Sequence, residues 1–225
     1  LVLRDPFIVE NGSGIFLEPT DYRFEFVDYC TVDGLKTIRL GVTYEAAQAG
    51  LRTIATEINE PLHGFGNIDI MALQAMTHLA ADGLRLAGDR QFSEPFLRPE
   101  TPLLTLEEVA QNHQFKILVG NRFCHLVGDG ASKGRAVEMI KAAWGKAHSD
   151  ASTEVVTLGL GDSPNDILML DAVDIAIVIP GINGPHPELA SRSGYRIAPA
   201  PGCHGWAAAV ADVAQEIGIP LPTLR

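Results

Sequence analysis

The stretch from Val155 to Ile179, VVTLGLGDSPNDILMLDAVDIAIVI, constrains the fold of this chain more than any other. Residues 155–160 have the composition of a buried strand. The acidic turn Gly161-Asp162-Ser163-Pro164-Asn165-Asp166 leads from it into a short helix, and a second apolar strand follows from Ile175. Strand and helix alternating in so short a span predict a parallel sheet. In open α/β sheets ligands bind beyond the carboxyl ends of the strands, which is where this turn lies.

Helix initiation accounts for part of the turn. Ser163 suits the N-cap, Pro164 suits the first helical position, and Asp166 completes a capping-box-like start beside the positive end of the helix dipole. Nothing in helix initiation requires Asp162. An extra carboxylate between Gly161 and the cap points to metal or phosphate chemistry. Magnesium takes one or two protein carboxylates, keeps several waters and accepts phosphate oxygens, so it suits the turn. Asp162 is then a direct ligand, with Asp166 and Asn165 holding the metal's waters or a neighbouring ligand.

The rest of the composition narrows the function. The 225 residues are 46% hydrophobic, enough for one large or two modest domains. A net charge of -11 argues against nucleic acid and against an anionic membrane surface, both of which demand a basic face. An anionic substrate would therefore need a divalent cation and a few placed Lys or Arg residues. Cys30, Cys124 and Cys203 are odd in number and scattered, without zinc-ligand spacing, which predicts a reduced, cytoplasmic chain. No apolar run approaches the ~18 residues of a membrane span.

Along the front of the chain, Phe7-Ile8-Val9 and Gly14-Ile15-Phe16-Leu17 read as strands around Glu10-Asn11-Gly12. Asn-Gly there signals a hairpin turn, and a substrate-contacting loop is the alternative. Extended structure is expected from Pro19 to about Phe26 and a strand over 35–40. A helix over 44–57 follows, capped by Thr43. Residues 69–86 carry apolar side chains at helical spacing, interrupted at Asp82-Gly83, and predict one helix or two short ones. Ala87 to Phe96 is polar and then extended. Thr105 and Glu108 make a capping box for a helix ending near Asn112. Residues 115–119 and 122–127 read as strands across the hairpin candidate Gly120-Asn121.

From Gly128 onward strand and helix alternate: a helix from Lys133 through Trp144, the 155 strand, a helix, the 175 strand, and a helix from about Trp206 to Ile217. The fold class is α/β, with residues 1–18 and 129–225 as a discontinuous core and residues 19–128 as an inserted α+β domain. Lys133 opens its helix just after Ser132. The N–H groups and dipole at such an end favour an anion, so an added ammonium makes a phosphate site, with a solvated lysine beside a cap as the plain alternative. A carboxylate could serve as nucleophile by forming an aspartyl phosphate. No DxD stands at a strand end in this chain to supply it.

GDSPND with Lys133-Gly134 upstream, together with an inserted α+β region, resembles the haloacid-dehalogenase superfamily of phosphatases. The chain is more closely similar to the mannosyl-3-phosphoglycerate phosphatase family. Pro6-Phe7-Ile8-Val9-Glu10-Asn11-Gly12 matches its PFIVENG stretch, Arg122-Phe123 with His125 matches GGRFxH, and Glu94-Pro95-Phe96 matches the end of REFxEPF. The resemblance runs from Asp5 to about Gly202, with Gln91 and Asn121 as departures.

The resemblance implies a Rossmann-like core with a type C2 cap, Mg2+, and hydrolysis of a glycosyl-3-phosphoglycerate through an aspartyl phosphate. By this likeness Asp162 is a magnesium ligand, Asp166 supports the metal site, and Lys133 neutralises the phosphate and the nucleophile. Glu10, Asn11 and Gly12 would line the substrate entrance, and Arg90, Arg122 and His125 would be cap-side contacts for carboxylate and hydroxyls. The implied partner is a small anionic sugar phosphate, with neither nucleic acid nor membrane, and a homodimer is compatible with it. Family members begin with a strand ending in DxDGT, which is expected to precede Leu1. A phosphosugar mutase sharing core and cap, and a non-catalytic sugar-phosphate-binding protein, are the competing readings.

Overall fold

The computed structural model describes residues 4–120, 123–149 and 155–220. It is a mixed α/β protein, and the chain divides into two compact units, Leu1–Ala136 and Val137–Arg225.

In the first unit, β1 (Phe7–Val9) and β2 (Gly14–Leu17) form the expected antiparallel hairpin, with Ile8 opposite Ile15. β3 (Cys30–Val32) and β4 (Leu35–Arg39) extend it into a sheet ordered β1-β2-β4-β3, so the front hairpin shares a sheet with residues 30–39. The turn between β3 and β4 is Asp33-Gly34, with φ of 49° and 81°. Two consecutive positive φ values are the mark of a tight hairpin, and Asp-Gly is the dipeptide that favours it.

α1 (Tyr44–Glu57) starts at the predicted cap, where the Thr43 hydroxyl accepts the Ala46 N–H at 3.3 Å. Residues 70–88 form two helices, α2 (Ile70–Thr77) and α3 (Ala81–Gly88). The break falls at His78, which is left-handed with φ 57°, and Asp82 and Gly83 lie inside α3. β5 (Ser93–Phe96) follows. α4 (Leu103–Asn112) begins directly after Pro102, so Thr105 lies within the helix instead of capping it. β6 (Phe115–Val119) and β7 (Cys124–Gly128) complete an antiparallel sheet ordered β5-β7-β6. Phe96, Ile117 and Leu126 from this sheet pack with Leu51 and Ile54 of α1 and Leu106 of α4. Residues of opposite parity, among them Ser93, Pro95 and His125, are left on the other face.

α5 (Lys133–Ala147) contains the division between the units. In the second unit, β8 (Leu158–Gly161) begins three residues later than expected, and Val155 and Val156 are exposed. α6 (Ile167–Asp171), β9 (Ile175–Val178), α7 (Pro187–Ala190), β10 (Arg196–Ile197) and α8 (Gly202–Glu216) follow. The sheet is parallel and ordered β10-β9-β8. Val178 packs with Ile167, Leu170 and Leu189, whereas Ile177 packs with Ala209 and Val213. Apolar side chains on both faces of one strand are what a helix-covered parallel sheet requires. Among the described residues, no helix is long and apolar enough to cross a membrane.

Candidate active site

The acidic turn of the second unit is organised by Asp166, which is 7% exposed. Its Oδ2 accepts the backbone N–H groups of Asp162 at 3.2 Å and Ser163 at 3.3 Å. The Ser163 hydroxyl donates to Asn165 Oδ1 at 2.7 Å and lies 3.2 Å from the same Asp166 oxygen. Gly161 makes this closure feasible, because a Cβ there would stand 2.5 Å from the Asp166 Cβ. The capping-box reading is therefore correct, and Asp166 does most of its work inside the turn.

Asp162 is different. It is exposed, and among the described residues its carboxylate makes no hydrogen bond or ion pair. No group of three His, Cys, Asp or Glu side chains among the described residues could cage a metal. One uncommitted carboxylate on an ordered turn fits magnesium, which binds few protein groups, better than it fits zinc or calcium, which want more.

In the first unit, Glu10, Asn11 and Gly12 adopt consecutive left-handed conformations, with φ of 48°, 60° and 86°. Such conformations cost non-glycine residues about 1–3 kcal/mol each and persist only where the surroundings enforce them. Here the enforcement is visible. The Ser13 hydroxyl donates to the Glu10 carbonyl at 2.7 Å. The Ser132 N–H donates to the Gly12 carbonyl at 3.3 Å, and a Cβ on Gly12 would lie 2.2 Å from the Ser132 carbonyl carbon. The turn is thus seated against the start of α5, where the Ser132 hydroxyl caps the helix by accepting the Arg135 N–H at 3.3 Å and Lys133 is the first helical residue.

The Glu10 carboxylate is committed to the segment before and into β5. It accepts the N–H groups of Gln91 at 2.8 Å and Phe92 at 3.2 Å and the hydroxyl of Ser93 at 2.6 Å, and Arg90 Nε lies 3.5 Å away. The Arg90 guanidinium in turn donates to Ser93 Oγ at 2.8 Å. Both partners of the ion pair are largely buried. His125, opposite Pro95 on β7, is held neutral. Burial above all, then the positive charge of Arg90, with a smaller push from Lys133, brings its pKa down to about 4, against the opposing pull of Glu10. Its Nδ1 has no hydrogen-bond partner among the described residues.

Glu10, Gly12, Arg90, His125 and Lys133 thus belong to one unit, and Asp162, Asn165 and Asp166 to the other. Arg122 and Asn121 lie outside the described residues. Sequence reasoning assigned no role to Ser93, which bonds both Glu10 and Arg90. It named Glu94 only as part of the Glu94-Pro95-Phe96 match and gave it no role, although this acid is only 2% exposed. The visible signal was an acid between Phe92 and Phe96 in a stretch that reads as extended.

No protein-family model matches the chain. The chain is 36% identical over 218 residues to the glucosyl-3-phosphoglycerate/mannosyl-3-phosphoglycerate phosphatase of Persephonella marina, covering 96% of this chain and 78% of that protein. It is 30% identical over 215 residues to the protein of the same name from Methanococcoides burtonii, covering 95% and 77%. To the mannosyl-3-phosphoglycerate phosphatase of Pyrococcus furiosus it is 29% identical over 184 residues, covering 80% and 69%. The crystal structure of Thermoplasma acidophilum 0175 is similar in fold alone, with a TM-score of 0.53 and 15% identity over 96% of this chain and 74% of that one.

Proposed function

The chain belongs to the glucosyl-3-phosphoglycerate/mannosyl-3-phosphoglycerate phosphatase family, and on that premise we propose that it serves magnesium-dependent release of phosphate from a glycosyl-3-phosphoglycerate, with mannosyl-3-phosphoglycerate as the preferred substrate. The observation that carries this reading is the division of labour between the two acids of the turn. Asp166 is spent on holding the backbone, which leaves the Asp162 carboxylate presented at the end of β8 without a structural duty.

Asp162 would hold the ion, with Asp166 and Asn165 keeping the turn in shape around it. Bound there, Mg2+ would supply Lewis-acid stabilisation of phosphoryl charge. Lys133 and the first N–H groups of α5 favour the phosphate by charge and by dipole. His125, neutral at pH 7, offers a hydrogen bond to a sugar hydroxyl, whereas Arg90 and Arg122 suit the carboxylate of the glycerate. Asn11 and Gly12 bring the entrance of the site against Lys133. An aspartyl-phosphate route needs an attacking carboxylate besides Asp162, and no DxD in the sequence supplies it. A cytoplasmic setting is supported by three cysteines that form no disulfide.

The test is phosphate release by the complete gene product from mannosyl- and glucosyl-3-phosphoglycerate. Stoichiometric inorganic phosphate supports the proposal. Transfer of phosphate between sugar positions without net release would select a mutase, and tight binding without turnover would select a binding protein.

A further inference from the structure

Glu94 is a carboxylic acid buried to 2% exposure on β5, beside Phe96 and Leu126. Burial pushes its pKa up, against the hydrogen bonds from Gly66 and Tyr44 and the charges of Arg90 and Arg52. An acid kept in such a site without a full set of partners is destabilising, and its Oε2 meets no donor among the described residues. Packing alone does not call for this side chain, since an apolar residue would fill the space without the penalty.

What the carboxyl holds is the segment His63 to Gly66. Its Oε1 accepts the Gly66 N–H at 2.8 Å. A Cβ on Gly64 would stand 2.2 Å from that same oxygen, so only glycine admits the acid there. On either side the segment runs as a short added strand on β5: the Phe65 N–H donates to the Pro95 carbonyl at 2.9 Å, the Leu97 N–H donates to the His63 carbonyl at 3.0 Å, and Gly64 bridges Phe96. The arrangement sets Phe65 edge-on to Phe123, with centroids 4.8 Å apart and planes at 89°. Phe123 directly precedes β7, and the Gly120 N–H donates to its carbonyl at 2.9 Å, which carries the β6–β7 pairing one step past Val119 and Cys124. This puts Phe123, two residues before His125, on the same face.

We propose that Glu94 is a positioning residue for the glycosyl end of the substrate site: it locks the Gly64–Gly66 segment onto β5 and so fixes Phe65 against Phe123 as an apolar wall beside His125. A pyranose ring presents an apolar C–H face as well as hydroxyls, and an aromatic wall next to a neutral imidazole matches both. The inference rests on the proposed function for the identity of the substrate, but the locking of the segment stands apart from it.

The experiment uses Glu94→Ala, Glu94→Gln and Phe65→Ala in the complete gene product, with mannosyl-3-phosphoglycerate and with 4-nitrophenyl phosphate, a phosphomonoester that has neither sugar nor carboxylate. Glu94→Ala is expected to raise KM for the sugar substrate about tenfold or more with kcat within about twofold, and to leave kcat/KM for the aryl phosphate within about twofold. Glu94→Gln, which keeps an acceptor, restores KM to within about threefold, and Phe65→Ala shares the sugar-specific rise. Amide exchange at Phe65 and Gly66 accelerates in Glu94→Ala and does not change in β7, the partner of β5 on its other edge. Equal losses on both substrates, an unmoved KM, or unchanged protection at Gly66 would overturn the proposal. If Glu94→Ala does not fold, an unmoved KM in Phe65→Ala overturns it. If the wild type releases no phosphate from glycosyl-3-phosphoglycerates, the functional reading fails while the exchange data still decide the lock.

Discussion

The Ser93 hydroxyl donates to the Glu10 carboxylate at 2.6 Å across eighty-three residues of sequence. The same oxygen is the one nearest Arg90, so Ser93 stands between the members of a buried ion pair and bonds both. Hydrogen bonds to charged groups contribute about 1.5–3 kcal/mol, and a buried charge deprived of one loses that amount. Ser93→Ala is expected to destabilise the protein by about 1.5–3 kcal/mol, read by urea unfolding. Ser93→Thr, which keeps the hydroxyl, should recover part of the loss.

Gly12 and Gly34 separate two causes of glycine dependence. Both have positive φ, 86° and 81°, but a Cβ on Gly12 would meet the backbone of Ser132 and Lys133, whereas one on Gly34 would meet nothing within 4 Å. Gly34→Ala should cost about 1 kcal/mol, the conformational strain alone. Gly12→Ala should cost about 3 kcal/mol or more, because the start of α5 must also move. Thermal unfolding of the two variants side by side gives the comparison, and equal costs would mean that the turn is not seated on α5.

His125 makes stability depend on pH with a defined sign. Its folded pKa of about 4 lies below the unfolded value of about 6.5, so between the two the unfolded chain binds more protons. Stability therefore falls as pH drops from about 6.5 to about 4, by at most about 3 kcal/mol after allowance for partial exposure. His125→Asn should flatten that limb of the stability profile. A wild-type profile already flat there would show the imidazole to be solvated.

Local features were legible in the sequence and distant ones were not. The Thr43 cap and the alanine-rich run after it define α1 to the residue, because both act within one turn. The Ser163–Asp166 closure was equally readable, since donors and acceptors lie within four residues. Thr105 misled for the same reason: the capping pattern is present, but Pro102 starts the helix earlier. β3 was overlooked although Asp33-Gly34 marked its hairpin, and β10 is too short to carry any periodicity. The commitment of Glu10 to residues 90–93 has no local trace, so a side chain expected at the substrate entrance has its carboxylate occupied within the protein.

The most direct test of the account concerns Asp162. Phosphate release from mannosyl-3-phosphoglycerate by the complete gene product should fall by about two orders of magnitude or more in Asp162→Ala, and should vanish with chelator and return with added Mg2+. Turnover unaffected by the substitution or by the chelator would contradict the assignment of Asp162 as the carboxylate that holds the metal.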